Sequence, residues 1–86
     1  MFQNISELNV AMKEILKTIQ QGHEIKTLFS KYPDELSLDL VKAINNCLSN
    51  GYLTGINCEV GSHNDVVINT PNPQVTSLGT RFILEN

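Results

Sequence analysis

Cys47, Cys58, His23, His63 and Asp65 are the side chains from which a nucleophile or a metal site could be assembled in this chain. A reactive thiol needs a neighbouring base or a positive environment to ionise, and a zinc site announces itself through close ligand pairs such as Cys-x-x-Cys. No such unit is present. Cys47 and Cys58 fall at apolar periodic positions and read as buried free thiols, His63 reads as a turn residue and His23 as a linker residue. The sequence also lacks a phosphate-binding glycine loop, a Gly-x-Ser-x-Gly elbow and carboxylates paired on one face. It therefore predicts no enzyme: no catalytic residue, no metal ligand and no cofactor.

A second kind of chemistry is base recognition. Ser37, Asp39, Lys42, Asn45, Asn46 and Ser49 share the polar side of a segment whose other side carries Leu40, Val41, Ile44, Cys47 and Leu48. Asparagine can pair two hydrogen bonds with adenine, and lysine can reach guanine or a phosphate. Lys31, with Lys26, is placed to touch a backbone, and His63 and Asn64 lie in a turn at residues 61–65. Charge weighs against tight binding. The net charge is -3, and residues 57–69 contain Glu59 and Asp65 but no Lys or Arg. With only about two or three phosphate contacts per protomer, the electrostatic gain is small and a homodimer or a larger partner is required. Two other readings stand beside double-stranded DNA. The polar residues are simply solvated faces, or the chain is a protein-docking or dimerisation module, with Phe2 and the first or last helix as pairing surfaces.

These residues need elements to position them. Ile5, Leu8, Met12, Ile15, Leu16 and Ile19 recur at three- and four-residue spacing and predict a first helix, capped by Asn4 or Ser6 and ended by Gly22. A short helix over residues 24–31 turns Ile25, Leu28 and Phe29 inward, and Pro33 stops it. Ser37 is read as the cap of the central helix, with Asp39 in its first turn, and Asn50-Gly51 as its end. From Tyr52 the period becomes two. Tyr52, Thr54, Ile56, Cys58 and Val60 then share one face of a strand over residues 52–60, a turn follows at residues 61–65, and Val66, Val67 and Ile68 return. Pro71 and Pro73 end the hairpin. Thr76 caps a last helix with Leu78, Phe82 and Ile83 inward, and Gly79 inside it implies close approach to another backbone. Three helices, a hairpin and a fourth helix make an α+β winged helix-turn-helix, in which the third helix enters the major groove and the hairpin is the wing.

Composition is consistent with one globular domain over residues 1–86: hydrophobic residues are 41% and charged residues 17% of the chain, far from the composition of disorder. There is no apolar run of membrane-spanning length, and MFQNISEL has no basic start followed by an apolar stretch, so the expected location is cytoplasmic. The expected core is Leu8, Met12, Ile15, Leu16, Ile19, Leu28, Phe29, Leu40, Val41, Ile44, Leu48, Ile56, Val67, Leu78 and Phe82.

AINNCLSNGYLTGI at residues 43–56 and VTSLGTRFILEN at residues 75–86 resemble the small winged-helix proteins of the YjcQ-like group, found in Gram-positive bacteria and their phages. That group ends its third helix in an x-Gly-Tyr-Ile/Leu junction and carries a Leu-Thr-x-x-Gly-x-x-Phe-Leu pattern after the wing. Here Val75, Thr76, Gly79, Phe82 and Ile83 correspond. The resemblance covers the whole chain. It implies the winged-helix fold and, through that architecture, a phage-related role in nucleic-acid binding and transcription regulation.

Overall fold

The computed structural model describes residues 4–61 and 65–86. Its elements run α1 (Ile5–Gln20), α2 (Ile25–Lys31), α3 (Ser37–Ser49), β1 (Leu53–Thr54), β2 (Asn57–Val60), β3 (Val66–Asn69), β4 (Gln74–Val75) and α4 (Ser77–Glu85). The antiparallel β2–β3 hairpin lies between α3 and α4, so the architecture is the α+β winged helix-turn-helix that the periodicities predict.

Local chemistry explains most of the boundaries. Asn4 opens α1 by accepting the Glu7 N–H at 2.9 Å, satisfying a donor that the helix cannot pair internally. Both long helices end in a Schellman turn. Gly22 donates to the Ile19 carbonyl and His23 to that of Thr18; Gly51 donates to Leu48 and Tyr52 to Cys47. The two glycines hold φ of 77° and 74°, the left-handed region that a side chain resists. Ser37 departs from expectation. A 3-10 turn at Asp34–Leu36 runs straight into α3, so Ser37 is its first helical residue and Leu36 occupies the cap position with no side-chain bond.

The core forms where α1, α2 and α3 meet. Ile15, Leu16, Leu28, Leu40, Ala43, Ile44, Cys47 and Leu53 are all buried essentially completely, and Met12, Val41, Ile25 and Phe82 extend the cluster. Each large aliphatic side chain so buried contributes about 1.5–3 kcal/mol. Leu8, Ile19, Phe29 and Leu48 pack partly buried at its edge. Ile5, expected on the α1 stripe, is exposed because it lies in the first turn, beyond the partners that cover the stripe.

The strand phase is the larger correction. Residues 52–60 are two short strands, since Gly55 takes φ 77° and breaks the ladder. Leu53 is therefore buried before the break, and Ile56 and Cys58 after it. β1 pairs with β4, Leu53 opposite Val75, closing a second small sheet that the sequence did not announce. In the wing Cys58 faces Ile68 across the ladder, and Glu59 faces Val67 on the outer side. Val67 is consequently 49% exposed and leaves the expected core, as does Leu78 at 52%.

The start of α4 is fixed by three contacts. Thr76 accepts from the Gly79 N–H at 3.1 Å while its hydroxyl donates to the Gly51 carbonyl. Gly79 lies so near Tyr52 that a Cβ there would sit 2.2 Å from the Tyr52 carbonyl oxygen, the close backbone approach that its place in a helix implied.

Candidate nucleic-acid interface

Successive turns of α3 bring Leu38, Lys42, Asn45 and Ser49 onto one exposed ridge, the i, i+4, i+7, i+11 line of a helix whose other sides are covered. Lys42 and Asn45 are exposed as the base-reading assignment requires, and Ser49 ends the ridge. Asn46 and Ser37 are half-buried on its flanks. The Asn46 carbonyl accepts from the Asn50 side chain at 2.8 Å, an interaction of the helix end.

Asp39 does not belong to this surface. It is 8% exposed, one turn before the fully buried Ala43, so it lies on the covered flank. The buried arc of α3 is thus wider than the stripe of large apolar residues, since it also takes in the small Ala43. The carboxylate remains in the first turn, where the helix dipole favours an anion. The consequence is electrostatic: the exposed ridge carries one cation and no acid. Leu38, at 40% exposed, takes the place on the ridge that was assigned to Asp39. Its signal was legible, since it falls outside the apolar stripe and one turn before Lys42.

The other predicted residues are scattered. Lys31 is exposed at the C-terminal end of α2, where a cation complements the helix dipole. It shares a polar cleft with Lys17, Glu14 and His23 rather than joining the α3 ridge. His63 and Asn64 lie outside the described residues. The flanks of that loop are closed by a bond of 2.7 Å from Gly61 N–H to the Asp65 carbonyl. The exposed wing residues include Asn57, Glu59, Asp65 and Asn69, giving hydrogen-bonding groups and negative charge but no cation.

Burial removes the thiols from acid–base chemistry. It pushes Cys47 up to about 12 and raises Cys58, so neither supplies a thiolate near neutrality. The Cys47 Sγ lies 4.0 Å from the Met12 carbonyl oxygen, a weak contact within the core. Tyr32 is also raised, by burial first and by the Glu14 carboxylate second. Among the described residues no group of three or more His, Cys, Asp or Glu side chains is arranged to hold a metal, and no helix is long and apolar enough to cross a membrane. No protein-family model matches the sequence, and comparison with curated proteins and with solved structures found no match.

Proposed function

We propose that this chain is a regulatory protein that binds double-stranded DNA, laying the exposed ridge of α3 in the major groove. The observation that carries this reading is the composition of the ridge: Lys42 and Asn45 project from adjacent turns while Asp39, the acid nearest to them in the sequence of α3, is turned into the protein. An amide and an ammonium group on one helical face can read base edges, and Leu38 can contact a thymine methyl. The likeness of the Gly51-Tyr52 junction and of the segment around Gly79 to the YjcQ-like group supports the same reading. Two free cysteines, both buried, fit a reducing compartment such as the cytoplasm.

Affinity for random duplex DNA across a salt series is the test. With two or three phosphate contacts per protomer, log K should fall against log salt with a slope of about -2 to -3 per protomer. Lys42→Ala should flatten that slope by about one, and Asn45→Ala should relax preference at one base position by about 1–3 kcal/mol. No binding at about 50 mM salt, where electrostatic attraction is strong, would remove DNA and place protein docking first. Docking is favoured by one observation of its own, the exposure of Leu84 and Leu78 on α4.

A further inference from the structure

Leu78, Arg81, Phe82 and Glu85 follow the i, i+3, i+4, i+7 spacing of one α4 face, and with Tyr52 and Asn86 they line a groove of about 330 Å³. Its floor is aromatic: the Tyr52 and Phe82 rings lie 4.8 Å apart, tilted by 32°. Its rim is a charge pair, Arg81 Nε donating to Glu85 Oε1 at 3.2 Å with both side chains largely exposed. Within one chain such a solvated i, i+4 pair adds little stability.

Across a two-fold axis the same two charges acquire a different value. An interface between identical copies is self-complementary, so each group must face its counterpart's opposite. Two antiparallel α4 helices related by an axis midway between Arg81 and Glu85 bring each Arg81 to the other copy's Glu85, twice, while parallel helices would set like charge on like. Leu78, half exposed, flanks these pairs and adds the apolar contact that a charge pair alone lacks. The face is also rigidly presented, because Thr76 and Gly79 fasten α4 to the chain around Gly51 and Tyr52.

We propose that a second copy of this chain docks on the Leu78-Arg81-Phe82-Glu85 face of α4, the helices antiparallel about a two-fold axis. The inference does not depend on DNA binding, and dimerisation without DNA affinity would leave it standing.

Sedimentation equilibrium of the full chain over a concentration series tests it. The wild type should self-associate. Arg81→Glu places two acids on the face and Glu85→Arg two cations, so each should weaken self-association by about tenfold or more, equivalent to 1.4 kcal/mol. Mixed together, the two variants should form a heterodimer, which loss of a pair within one chain could not produce. Leu78→Gln should weaken the dimer, whereas Leu84→Ser, which lies off this face, should not. Circular dichroism confirms that each variant is folded, and Arg81→Gln serves where Arg81→Glu is not. A monomeric wild type up to about millimolar concentration, where weak binding of about 4 kcal/mol is already visible, would overturn the proposal. So would a mixture that stays monomeric, or a dimer insensitive to both charge reversals.

Discussion

Across α1 and α3 the buried side chains lie where a period of 3.6 residues places them, whereas from Leu53 to Val60 the period of two slips at Gly55. The two regions differ in what enforces their phase. A helix bonds each residue to its own neighbour four positions away, so once Asn4 starts α1 the face of Ile15 and Leu16 is settled. A strand takes its phase from a partner, and one left-handed residue resets it. At Gly55 that residue is doubly constrained: φ is 77°, and a Cβ would stand 1.7 Å from the Asn72 carbonyl oxygen. Asn72 N–H in turn donates to the Gly55 carbonyl at 3.3 Å, so the wing's exit fixes its entry.

The contrast can be broken or sharpened by mutation. Ile44→Ala removes a wholly buried side chain from the helical region and should cost about 2–5 kcal/mol, read as a fall in the urea midpoint at unchanged slope. A loss below about 1 kcal/mol would show that the core collapses around the gap instead of being held open. Gly55→Ala should cost about 2–4 kcal/mol through backbone strain and steric overlap, with amide shifts confined to β1, β2 and the segment around Asn72. Gly22→Ala is its control. The φ there is equally left-handed, but nothing lies within 4 Å of the added Cβ, so only about 1–2 kcal/mol of conformational strain should appear.

Cys47 offers a test in pH. Its folded thiol ionises near 12 instead of at the ordinary 9.0, so the native state holds a proton that the unfolded chain releases first. The stabilisation is complete below about pH 9 and is lost as pH rises toward 12, at up to about 1.4 kcal/mol per pH unit. Urea unfolding at pH 8 and pH 10.5 should show a steeper alkaline loss for the wild type than for Cys47→Ala, since both share every other titrating group. Equal losses would mean that Cys47 ionises in the folded protein. The smallest effect belongs to the wing: Val67→Ser on its outer face should change stability by no more than about 0.5 kcal/mol. A loss of about 2 kcal/mol, the cost of uncovering a buried aliphatic, would mean that a partner or a second copy covers that face.

The candidate interface divides in the same way. Lys42 and Asn45 were legible because the apolar stripe of α3 leaves them on its opposite side. Asp39 was misassigned because a stripe drawn through large residues ignores Ala43, which contributes little apolar signal yet lies in the fully covered arc. Serine before an apolar run usually caps the helix, which is why the sequence points to Ser37. The 3-10 turn ahead of it continues the backbone smoothly into the helix, and no free N-terminus is left there to cap.

The amino-acid order alone determined the helices, their ends at Gly22 and Gly51, the cap at Thr76 and the hairpin after the central helix, because each rests on interactions among residues a few positions apart. Only the tertiary structure decided which side of the chain at Leu53 is buried, that β1 pairs with β4, that Leu78 and Val67 face outward and that Asp39 turns in. The phase at Leu53 and its pairing depend on which distant backbone comes close, the Tyr52 carbonyl to Gly79 and the Asn72 carbonyl to Gly55. Contacts between residues far apart in the chain leave no local period from which they could be read.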